Sequence, residues 1–96
     1  MLNILRTRQA CEDVIDIWQY IAADNAVAAD AVVRRLDEAI LLLGEHPKLG
    51  VPQDKYRTGL RCMPAGGYLI FYDEIPSELR ILRVLHGARR WEEFFE

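Results

Sequence analysis

The chain has 96 residues, of which 51% are hydrophobic and 28% charged, and its formal net charge is −3. That length makes one domain (residues 1–96), burying roughly 60–65% of the unfolded surface in one modest core. An ordinary globular composition, with no apolar run of bilayer length and no basic start before an apolar stretch, points to a cytoplasmic protein without membrane span or leader.

The charge is unevenly spread. Residues 1–55 carry six basic side chains against nine acidic ones. Residues 56–90 carry six arginines (Arg57, Arg61, Arg80, Arg83, Arg89, Arg90) against Asp73, Glu74 and Glu78, and the last six residues add three glutamates. An acidic total excludes a general nucleic-acid binder, but an all-arginine second half suits bidentate contacts to a local anionic partner. The two cysteines, Cys11 and Cys62, have no C-x-x-C spacing and read as reduced thiols. His46 and His86 have no ligand-like spacing to either, so no metal site is expected.

In chain order, Ile4 and Leu5 fit a short first strand. Thr7 is a plausible N-cap for a helix to about Ala23. Cys11, Val14, Ile17, Trp18 and Ile21 recur at three- and four-residue steps and form its apolar stripe, with Glu12, Asp13, Asp16 and Gln19 mostly opposite. Asp24 or Asn25 caps a second helix, Ala26 to Leu43, with Ala29, Val32, Val33, Leu36, Ile40 and Leu43 as its stripe and Gly44 as its stop. The short link makes the two an antiparallel hairpin. Leu41 and Leu42 widen the stripe, as extra core or, alternatively, as a partner groove.

After the proline-rich loop around Pro47 and Pro52 the period changes. Tyr56 to Met63, Tyr68 to Tyr72 and Leu79 to His86 read as three strands, separated by Pro64-Ala65-Gly66-Gly67 and Ile75-Pro76-Ser77-Glu78. Short turns imply antiparallel pairing. The predicted fold is therefore α+β, ordered β-α-α-β-β-β, with a helical hairpin on one face of a small antiparallel sheet. In the last strand, strict alternation sends Ile81, Arg83 and Leu85 one way and Arg80, Leu82, Val84 and His86 the other. Arg83 and His86 then do not form one catalytic pair.

Several segments in order carry a resemblance: Trp18-Gln19-Tyr20-Ile21-Ala22 with Asp24-Asn25 and Ala28-Ala29; Leu43, Pro47 and Gly50; Gly59-Leu60-Arg61; Tyr68-Leu69-Ile70-Phe71-Tyr72; and Ile81 through Arg89. Together they resemble the ParE/RelE superfamily of bacterial type II toxin–antitoxin toxins, over nearly the whole chain. The ending Leu82-Arg83-Val84-Leu85-His86-Gly87-Ala88-Arg89 is more similar to the ParE branch. The resemblance implies a toxin neutralised by an antitoxin of ribbon-helix-helix or similar type, whose tail lies along the hairpin and sheet. DNA is then contacted through the antitoxin. ParE-like members inhibit DNA gyrase with no known metal or cofactor; RelE-like members cut mRNA in the ribosome.

Metal-free RNA cleavage needs groups to activate a 2′-hydroxyl, stabilise the phosphate and protonate the leaving oxygen. Of the RelE-like set this chain offers Arg57, but Gly59 two places on; Leu69 follows Tyr68 where an arginine belongs; Arg89 is present; and Phe95 stands where a tyrosine hydroxyl is needed. His86, at a strand end, reads first as structural. The nuclease is thus the alternative, resting on Arg57 and Arg89, and the expectation is an inhibitor without chemistry of its own. Arg61 and Arg83 either pair with the chain's own carboxylates, such as Asp73, or meet a partner. Arg89, Arg90 and the aromatics Trp91, Phe94 and Phe95, on one helical face, complete the expected partner-binding set of Arg61, Arg83, Arg89, Arg90, Trp91, Phe94 and Phe95.

Overall fold

A computed structural model describes residues 1–95. The elements are β1 (Asn3–Arg6), α1 (Arg8–Ala22), α2 (Ala26–Glu45), β2 (Val51–Pro52), β3 (Arg61–Ala65), β4 (Tyr68–Ile75) and β5 (Glu78–His86), followed by a short 3₁₀ turn at Trp91–Phe94. They form one five-stranded sheet in the order β1-β5-β4-β3-β2, with the α1–α2 hairpin on one face. The α+β expectation holds. The antiparallel reading holds for β3 to β5 and is corrected at one edge, where β1 runs parallel to β5, Ile4 opposite Leu79; at the other edge β2, read from sequence as part of the proline-rich loop, adds a strand antiparallel to β3.

Caps fix the hairpin. Thr7 Oγ1 accepts the Ala10 N–H at 3.2 Å to start α1, and Asn25 Oδ1 accepts the Ala28 N–H at 3.0 Å to start α2. Trp18 Nε1 donates to Asp30 at 2.8 Å and ties the helices together. Leu36, Ile40 and Leu43 of α2 and Ala10 of α1 are buried against Ile70, Tyr72, Leu79, Ile81 and Val84 of the sheet. Val14 and Ile17 pack on that core, whereas Cys11 and Trp18 face solvent, so the α1 stripe is rotated from the sequence reading. The rotation also buries Asp13, which was expected on the outer side. Leu41 and Leu42 are 52% and 43% exposed and do not extend the core. Gly44 does not stop α2; it lies inside the helix, where a Cβ would stand 2.9 Å from Ile4 Cδ1.

The strand meanders through two tight hairpins. Ala65 pairs Tyr68 across Gly66 and Gly67, both at positive φ, which is the backbone a two-residue hairpin needs. Ile75 pairs Glu78 across Pro76 and Ser77, the latter at φ 69°. β3 starts only at Arg61, because residues 54–60 turn instead of extending.

One irregularity decides which side chains meet the hairpin. Tyr72 pairs Ile81, but the preceding Phe71 pairs Arg83, leaving Leu82 as an extra residue in β5. This β-bulge puts Ile81 and Val84 together on the hairpin side, while Leu82 and Leu85 join a second cluster with Leu60, Cys62 and Phe71 on the far face. The strict alternation of the sequence reading is corrected here.

Candidate functional site

The far face of the sheet is closed by the chain's own end. Trp91 lies with its ring centroid 4.9 Å from both Phe71 and Tyr56, and Phe95 lies 4.9 Å from Phe71. Leu69, Tyr56, Trp91 and Phe95 thus cover a cluster that would otherwise expose Phe71 and Leu85. Of the three tail aromatics read as one face, Trp91 and Phe95 pack inward and Phe94 is left 37% exposed.

The Phe94 ring has two guanidinium groups over it, with Arg83 Cζ 4.6 Å and Arg89 Cζ 4.7 Å from its centroid. Cations over an aromatic face are attracted by its quadrupole, so the two arginines define where this exposed ring sits. Arg83 is itself held from behind. Its Nε and Nη2 donate to the two Asp13 oxygens at 2.8 and 2.9 Å, a bidentate fork between β5 and α1. Asp73, which the sequence offered as a partner, instead pairs with its cross-strand neighbour Arg80, whose Nε donates at 2.8 Å. That bond holds the Arg80 pKa above its ordinary value.

The other expected residues are dispersed. Arg61 Nη1 donates to the carbonyls of Gly50 and Lys48 at 2.6 and 3.2 Å, pinning the loop before β2. Arg90 is exposed and, among the described residues, has no carboxylate within ion-pair distance. Arg57 lies exposed in the turn next to Tyr56. Arg89 reaches the rim of a cavity of about 510 Å³ lined by Asp13, Asp16, Ile17, Tyr20, Tyr68, Val84 and His86. Arg57 does not line that cavity, so the two arginines of the nuclease alternative are not brought together there. His86 packs edge-on to Tyr68 at 5.3 Å, and its Nδ1 accepts the Ala88 N–H at 3.1 Å, a structural use of the ring.

Sequence reasoning missed Asp13. It looked like one of several solvated acids on α1, yet it is only 7% exposed and meets three donors: the Arg83 fork and the Val84 N–H at 2.9 Å. The available signal was an acid within a turn of Val14 and Ile17, on the edge of the buried stripe. Among the described residues no group of three His, Cys, Asp or Glu side chains converges as metal ligands. No helix among the described residues is long and apolar enough to cross a membrane.

Residues 4–91 match the family described as the ParE toxin of the type II toxin–antitoxin system parDE. The chain belongs to the ParE toxin family. It is 37% identical over 84 residues to Toxin ParE1 of Caulobacter vibrioides, covering 85% of each chain, and 31% identical over 87 residues to the putative toxin Y4kP of Sinorhizobium fredii, covering 91% of this chain and 90% of that one. Its fold is that of a solved chain described as the chromosomal ParDE toxin–antitoxin system from P. aeruginosa, with TM-score 0.76, 20% identity and coverage of 90% and 96%. In ParE terms, the matched span takes in the sheet except Asn3, the hairpin and the first tail aromatic, Trp91.

Proposed function

We propose that this ParE-family toxin acts by binding DNA gyrase, without catalysis of its own, and is held inactive by a cognate antitoxin in the cytoplasm. The observation that carries the reading is the family match over residues 4–91. The surface around Arg83, Arg89, Arg90, Trp91, Phe94 and Phe95 supports a binding mode. Arginine and aromatic side chains dominate interface energetics, and here one exposed aromatic is held in place before any partner arrives. Arg61, spent on the backbone carbonyls of Lys48 and Gly50, supports the loop before β2 instead of contacting the target.

The antitoxin reading is supported by apolar side chains on the hairpin: Ile15 and Leu41 are 55% and 52% exposed, with Leu42 and Trp18 beside them in this class. A ribbon-helix-helix antitoxin would keep DNA contact to itself, with its tail along that hairpin.

The test uses antitoxin-free toxin, plasmid DNA, ATP and gyrase from the same organism. Loss of supercoiling, or linear plasmid after denaturation, is the expected result. Normal supercoiling by gyrase in the presence of folded toxin that still arrests growth would overturn the reading. Mapping of mRNA ends after induction then decides whether Arg57 and Arg89 serve a nuclease.

A further inference from the structure

The Asp13–Arg83 fork joins α1 to β5, and through Arg83 it reaches Phe94 of the tail. Asp13 is buried on α1, and its side chain lies beside β5 beyond the end of β1, where it takes the Val84 N–H. One acceptor oxygen would satisfy that amide. Oδ2 takes that amide together with Arg83 Nε, and Oδ1 takes Nη2 of Arg83, whose guanidinium carbon lies over the Phe94 ring. Arg89 also lies over the Phe94 ring, and Arg89 shares the cavity wall with Asp13. Two parallel charge-assisted bonds fix the plane of a guanidinium as well as its position. An exposed ring on a short terminal turn has no core to locate it, so its direction depends on that plane.

We infer that Asp13 is a positioning residue for target recognition: through Arg83 it sets the orientation of Phe94 and Arg89. This rests on the reading that the tail surface contacts gyrase. Asp13 itself, 7% exposed, touches no target. The role predicts that removing its charge loosens Phe94 and Arg89, with Trp91 and Phe95 still packed on the sheet.

The discriminating variant is Asp13→Asn, which keeps an oxygen for the Val84 N–H and loses the charged fork. Gyrase inhibition should fall about tenfold, and amide exchange at residues 89–95 should quicken about tenfold, while exchange in α2 and β4 stays unchanged. Should Asp13→Asn not fold, the double variant Asp13→Asn/Arg83→Met, which leaves no unpaired buried charge, is expected to show the same two changes. Phe94→Ala and Arg89→Ala are measured alongside. If they lose inhibition while Asp13→Asn keeps it, or while its tail exchange is unaltered, the positioning role is overturned and the tail reading stands. If Phe94→Ala and Arg89→Ala also keep full inhibition, the tail reading falls and the positioning role with it.

Discussion

The tyrosine at position 72 shows how one side chain organises a loop. Its hydroxyl accepts the Gly50 N–H at 2.7 Å and donates to the Pro47 carbonyl at 2.8 Å, and the ring is fully buried. Arg61 takes the Gly50 carbonyl, so both backbone groups of Gly50 are committed. A Cβ at Gly50 would lie 2.5 Å from the Tyr72 hydroxyl and 2.6 Å from Cε1. Gly50→Ala should therefore cost about 1–3 kcal/mol through overpacking, and Tyr72→Phe about 1–3 kcal/mol by leaving a buried amide unsatisfied; urea unfolding checks both. Residue roles of this kind were only partly legible. That Arg83 pairs with an acid was among the readings, but its partner Asp13 lies 70 positions away and is chosen by which helix flanks β5. Sequence proximity favoured Asp73, which the cross-strand register gives to Arg80.

At the scale of elements, Thr7 is the joint between β1, α1 and β5. Its Oγ1 caps α1, and the hydroxyl lies within hydrogen-bond reach of the Ile81 and Leu82 carbonyls at 2.9 and 3.1 Å. Thr7→Ala should cost about 1–2 kcal/mol, with Thr7→Ser restoring most of it in thermal unfolding. The tail is the second such case. Trp91→Ala removes the ring wedged between Phe71 and Tyr56 and should cost about 2 kcal/mol, with exchange at residues 89–95 quickened first. Helices and strands were readable because periods of 3.6 and 2 survive in the sequence. The bulge at Leu82 was not: every residue of Leu79–Val84 suits a strand, and an extra residue is visible only against the partner strand. The parallel β1 was hidden for a similar reason, since four residues fit a strand of either direction.

For the molecule as a whole, two apolar layers enclose one sheet, and burial on both faces perturbs titration. Burial pushes the Cys62 thiol from its ordinary 9.0 to about 11 and also raises Tyr72. A proton held more tightly in the fold contributes stability in full below the unfolded pKa and loses it as pH rises through the folded one. The urea midpoint should therefore decline between pH 9 and about 11, and Cys62→Val should flatten part of that slope. At neutral pH alkylation should label the exposed Cys11 and spare Cys62 until the protein unfolds.

The parallel pairing of β1 with β5 also bears on how the toxin comes into being. Among the described residues Asn3–Arg6 finds its strand partner in Glu78–Ile81, so a nascent chain leaves the ribosome with β1 waiting for β5, about 70 residues later. A product released early has no closed sheet edge and no arginine for Asp13. A truncated product that lacks β5 should thus be harmless to the cell.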